Sequence, residues 1–161
     1  MVATGVYYNL VTGRLDAQIR QIDQLDAKAA TAYTVASVIL TFFAGLLTIA
    51  IFPGNKGVRV TDFILLGLAG LGYLFLVYCI FQAYEVGQWS YRPDLSTLQQ
   101  YSATHSEDEM QQWIANECLL SIQANEPRIA QKARWLYRAL VALAIEAVLI
   151  AAIGGVTLLV K

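Results

Sequence analysis

The chain has 161 residues, 57% of them hydrophobic and 14% charged, with a mean hydropathy of +0.51 and a formal net charge of −1. That balance is too apolar for an ordinary water-soluble domain and leaves no basic face for nucleic acid, so a membrane protein is the class that remains. Cys79 in an apolar run and Cys118 in a polar one make no disulfide framework and read as reduced thiols packed as small hydrophobes.

Residues 1–28 read as an amphipathic helical stalk. Tyr8, Val11, Leu15, Gln18, Ile22, Leu25 and Ala29 follow one another at alternating steps of three and four, while Arg14, Asp16, Arg20, Asp23, Gln24 and Lys28 lie off that line. Asp16 and Arg20 add a supporting pair one turn apart. Neither proline nor glycine falls between Arg14 and Ala44, so the stalk is predicted to run unbroken into the first apolar segment.

Three apolar runs are fenced by charge: 29–52, 63–84 and 139–160. Each is long enough to span, since about 20 apolar residues at about 1.5 Å rise cover a hydrocarbon core of about 30 Å. Glu146 interrupts the third, but its apolar neighbours outweigh one carboxylate. The first run starts too late and is too long for a signal peptide. Residues 53–62, "PGNKGVRVTD", form a short external loop between the first two spans.

Residues 85–138 are a second cytoplasmic segment. "WSYRPD" is a turn signal, because Pro93 biases Arg92 away from helix, and "DLSTLQQYSA" reads as a short helix. Ser106 followed by Glu109 predicts a capping box, with Glu107 and Asp108 also in the first turn. Met110, Trp113, Ile114, Leu120 and Ile122 then offer a partly buried face, and Pro127 is expected to kink the helix or end a segment. The expected fold is all-α: three transmembrane helices with a cytoplasmic helical bundle formed by extensions of the first and third spans.

Basic residues set the orientation. Arg14, Arg20, Lys28, Arg92, Arg128, Lys132, Arg134 and Arg138 fall on one side, against Lys56, Arg59 and Lys161 on the other. The side richer in arginine and lysine is cytoplasmic, which places the N-terminus inside and the C-terminus outside a bacterial inner membrane. Tyr84, Trp89, Tyr91, Trp135 and Tyr137 cluster where the spans meet the cytoplasm, as an aromatic belt does.

Polar residues near or within the spans are the candidate sites. Asp26 and Lys28 point to different sides of one helix, so each has a partner elsewhere: Arg128 or Lys132 for Asp26, and Glu126 or Glu85 for Lys28. The blander alternative is a solvated Asp26 and a Lys28 that snorkels to headgroups. Glu146 is the one ionisable residue inside a span, at an insertion cost of about 2.5 to 3.5 kcal/mol. In an oligomer it lines an ion path; in a monomer it accepts hydrogen bonds from Thr41, Thr48 or Tyr73, or stays protonated as structural glue. Gly67, Gly70 and Gly72 with Ala69, and Gly154 and Gly155 with Ala151, thin two of the spans for close approach.

"IDQLDAKAATAY" before the first span, "YRPDLSTL" after the second and "SIQANEPRIAQKARWLYRALVAL" leading into the third carry a resemblance. The chain resembles small bacterial membrane proteins related to the transmembrane effectors of Pycsar and similar nucleotide-signalling antiphage systems. Asp26, Lys28 and Ala29, the Arg92–Pro93 step and the spacing from Asn125 to Lys132 are the matching positions, and Asp26, Lys28, Arg92, Asn125 and Lys132 are the candidate contacts between stalk and bundle. The resemblance implies an effector that assembles and compromises the inner membrane when a signal arrives. This chain has no recognisable nucleotide-binding domain, so the sensor is another protein or absent.

Catalysis is not expected. His105, the sole histidine, has no second imidazole or thiol at metal-ligand spacing, and no phosphate loop or nucleophile elbow occurs. No cofactor is expected. The anticipated partners are the lipid bilayer and further copies of the chain or another membrane protein. Two readings follow: a self-assembling, channel-like membrane effector, or a non-catalytic accessory subunit that anchors a larger complex.

Overall fold

The computed structural model describes residues 4–51, 60–85, 89–91 and 94–159. Residues 53–59 of the expected loop, Arg92 and Pro93, and the basic residues Lys56, Arg59 and Lys161 lie outside the described residues. The elements are all α-helices: α1 (Thr4–Ile51), α2 (Val60–Glu85), α3 (Leu95–Ser102) and α4 (Glu107–Leu159). Three of them, α1, α2 and α4, are long and apolar enough to cross a membrane.

α1 is unbroken, as its freedom from proline between Arg14 and Ala44 dictates. α2 opens at Val60, three residues ahead of the charge-free run. Pro127 does not end a helix: α4 continues through it to Leu159. Its ring removes the hydrogen bond to the carbonyl of Gln123, but Gln123, Glu126 and Pro127 are all exposed, so that carbonyl is left on an open face rather than in a core.

The chain divides into two compact units. One comprises Met1–Leu25 and Val86–Gln131, the other Asp26–Glu85 and Lys132–Lys161. In the first unit Val11 and Leu15 of α1 bury against Ala115, Cys118 and Ile122 of α4, with Ile19 and Ile114 at the margin. Each large side chain removed from water here contributes about 1.5–3 kcal/mol. The Gln18 amide donates to the Ile122 carbonyl at 3.3 Å, spending the one polar position of the seam on a main-chain acceptor. Leu120, expected on this face, is 49% exposed. It stands two residues from both Cys118 and Ile122, about 200° around the helix from each, and so leaves the buried line.

Caps hold the starts of α3 and α4. The Asp94 carboxylate accepts from the Thr97 amide at 2.8 Å, which starts α3. At the start of α4 the Ser106 amide and hydroxyl both donate to the Glu109 carboxylate, at 2.9 and 2.8 Å. Glu109 therefore supplies its half of the expected box, while the serine hydroxyl turns to the carboxylate.

The second unit packs through small side chains. Ala32 and Ala36 of α1, Leu76, Cys79 and Ile80 of α2, and Ala139 and Ala142 of α4 form one cluster, with Tyr73, Trp135 and Leu143 packed against it. Leu66, Ala69 and Ile153 form another, joined by Phe43 and Leu65. If lipid surrounds these helices, apolar burial gains little, and close backbone approach between alanines becomes the main attraction. Trp135 is fixed by an edge-on contact with Tyr78 at 5.8 Å and carries the Arg138 guanidinium 4.5 Å from its ring centre.

Candidate functional site

Buried residues recur along α4 at steps of three and four: Ala115, Cys118, Ile122, Asn125, Ile129, Lys132, Leu136, Ala139 and Ala142. Asn125, Lys132, Ala139 and Glu146 are seven residues apart in succession, and seven residues return a helix to within about 20° of the same direction. Three of the four are polar, and all three are at most 2% exposed. Such positions are apolar by default, so each polar occupant needs a local reason.

Asn125, in the first unit, clamps a stretch of non-helical backbone. Its Oδ1 accepts from the Ser90 amide at 2.9 Å, and its Nδ2 donates to the Ser90 carbonyl at 3.0 Å. The amide thus reads both main-chain groups of one residue, as a neighbouring β-strand would. Ser121, one turn earlier on α4, is fully buried with its hydroxyl 3.5 Å from that of Ser90.

Lys132, in the second unit, forms an ion pair with Asp26, one of the two pairings considered for that carboxylate. The lysine side chain is 3% exposed and the aspartate 41%, so the pair runs from an interior position to a half-open one. Lys28 is exposed and makes no ion pair among the described residues. Of these two charges on different sides of α1, Asp26 reaches a buried lysine from a half-open position and Lys28 stays outside.

Glu146 is 1% exposed, and neither carboxyl oxygen has a hydrogen-bond partner among the described residues. The donors expected from α1 are committed elsewhere: the Thr41 hydroxyl bonds the Ser37 carbonyl at 3.1 Å and the Thr48 hydroxyl the Ala44 carbonyl at 2.8 Å. Both threonines are exposed. What faces Glu146 is Gly72 of α2, where an added Cβ would stand 2.5 Å from Oε2. Of the glycines expected to allow close approach, Gly72 therefore does so for a carboxyl group, and Gly70 lies 3.7 Å from the Phe43 ring by the same measure. Gly67, Gly154 and Gly155 face open space.

Ser90 and Ser121 carry no sequence signal of their own, being small residues without charge or motif, and Gly72 is marked only as one of several small residues that thin a span. The heptad spacing of Asn125, Lys132 and Glu146 was the available clue. His105 stacks on Tyr101 at 3.7 Å, and Tyr101 in turn on Trp113 at 4.6 Å, an aromatic pile at the junction of α3 and α4. Among the described residues no group of three or more His, Cys, Asp or Glu side chains is placed to hold a metal ion. No family model, curated protein or solved structure matches the chain.

Proposed function

We propose that the protein is a non-catalytic, multi-pass inner-membrane protein that self-assembles through α1 and perturbs the membrane in its assembled, channel-like form. The observation that carries this reading is the exposed face of α1. Thr31, Thr34, Ser37, Thr41 and Thr48 are all exposed and fall within an arc of about 120° at 100° per residue. Ala32, Ala36, Ile39 and Phe43 are buried or half-buried on the opposite side. Each hydroxyl donates to the carbonyl four residues before it.

Five hydroxyls in line are not required for a helix that meets only lipid tails, which leucine or valine satisfies better. Small and hydroxyl-bearing residues are the usual means by which membrane helices approach one another. A second α1 on this face brings hydroxyl against hydroxyl and, in a ring of copies, lines an uncharged polar path. The resemblance to effectors of nucleotide-signalling antiphage systems supports the same reading and adds the expectation that a signal triggers assembly. The excess of arginine and lysine on the N-terminal side of the apolar runs over the opposite side supports an N-terminus in the cytoplasm.

A second reading, an accessory subunit docked on a larger complex, is favoured by the large side chains Val6, Leu10 and Leu120, exposed by 64%, 65% and 49% in the unit that lies outside the apolar runs. Cysteine crosslinking in native membranes separates the two. The native thiols, Cys79 and Cys118, are buried. Self-assembly through α1 predicts that Thr41→Cys forms disulfide-linked dimers on mild oxidation, while Val148→Cys, exposed by 69% on α4, does not. Equal crosslinking at both positions would signify random collision, and crosslinking at neither would favour the anchoring reading.

A further inference from the structure

Glu146 divides the packed interior of the second unit. It follows Ala142 of the first apolar cluster by one turn and precedes Ile153 of the second by seven residues. Gly72 stands likewise between Ala69 and Leu76 on α2. The carboxyl group therefore occupies a small polar gap in an otherwise apolar stack, with room made for it by the absence of a side chain at Gly72.

Among the described residues no cation is placed to balance a negative charge there. On α1, residues 36–43 contain no titratable side chain. On α2 the titratable residue beside Gly72 is Tyr73, half-buried against the first cluster. On α4, Glu146 is the only titratable residue after Arg138 among the described residues. An unpaired carboxylate in such surroundings is strongly disfavoured relative to the neutral acid, whose burial costs only that of a polar group.

We infer that Glu146 is a proton-binding site: it holds a proton while α2 and α4 are packed at Gly72, and release of that proton opens the contact. The carboxyl O–H bond breaks on release, the proton leaves to water, and the electron pair stays as the carboxylate, which then draws water into the gap. The sign is fixed by which form the packed state accommodates. Packing is favoured at low pH and lost as pH rises through the value at which the folded protein releases the proton. The site is complete within one copy, so it stands apart from assembly through α1.

The test is the infrared spectrum of the full-length protein in lipid vesicles, wild type minus Glu146→Gln, followed with pH alongside thermal unfolding. A protonated-carboxyl stretch is expected while the helices are packed, absent from the variant. Past its midpoint it should give way to carboxylate bands by about tenfold per pH unit. The unfolding midpoint should fall over the same range in wild type and stay level in the variant. Carboxylate bands at every pH, or a protonated band that persists until the protein unfolds, would overturn the proposal.

Gly72→Ala supplies an independent arm. Its Cβ meets only the far end of a flexible side chain, so the variant folds with the carboxyl displaced from its gap. The proton should then be released at lower pH than in wild type. An unchanged release would sever the proposed link between the proton and the Gly72 contact.

Discussion

Asn125 is the buried polar side chain whose role the geometry defines most completely, since both ends of its amide are used on Ser90. Asn125→Ala removes two hydrogen bonds and leaves a half-buried N–H and C=O to be rehydrated. A loss of about 1–3 kcal/mol is expected, measured by chemical unfolding in detergent micelles. The Asp26–Lys132 pair is a weaker case. Half of it is open to solvent, so screening reduces what the ion pair contributes, yet the lysine end is interior. Asp26→Asn keeps an acceptor and removes the charge, and should lower stability by about 1 kcal/mol; an unchanged midpoint would leave the pair without a structural role. Glu146 was recognisable in the sequence as the one ionisable residue inside an apolar run and Lys132 as a pairing for Asp26, whereas Asn125 stood out only through the resemblance. Asp26 was paired with Lys132 or Arg128 from the sequence, but the partners of Asn125 and Glu146 were not legible there. Ser90 and Gly72 are distant along the chain and uncharged, and only the folding of a non-helical stretch onto α4 and the register of α2 against α4 bring them opposite.

Among the elements, α1 was the most legible, and for a clear reason. Val11, Leu15, Ile22 and Ala29 are buried where alternating steps of three and four placed them, because one helix face recurs at that spacing whatever it packs against. The face of α4 was less so. Leu120 is large and apolar but lies off the buried line, whereas Ala115 and Cys118 lie on it and are small enough to be passed over. Size drew attention where phase decides. Of the two outcomes expected at Pro127, the end of a segment does not occur: the residue type disfavours a helix interior, but its exposed position lowers the cost of the lost hydrogen bond. The caps were readable as local chemistry. At α3 the Asp94 carboxyl is held below its ordinary value of 3.8, chiefly by the hydrogen bonds to Thr97. Its stabilisation of the helix is present above that ordinary value and is lost as pH falls through the lower, folded one. The Thr97 amide chemical shift should therefore titrate with a midpoint below 3.8, and Asp94→Asn should abolish that titration.

At the scale of the whole molecule, the fold class was written in composition: a mean hydropathy of +0.51 with three long charge-poor runs admits little but an all-helical membrane protein. Whether copies associate was not written there. Composition counts hydroxyls but does not say which way they face, and the α1 stripe has meaning only because the opposite side of that helix is the packed one. Self-assembly is thus the claim on which the functional reading rests. The direct measurement is the mass of the detergent-solubilised protein by light scattering, corrected for bound detergent. The reading predicts a defined multiple of the 17.7 kDa chain, reduced when Thr34 and Thr41 are both replaced by leucine. A single 17.7 kDa species at every concentration and in every lipid-like medium would contradict it.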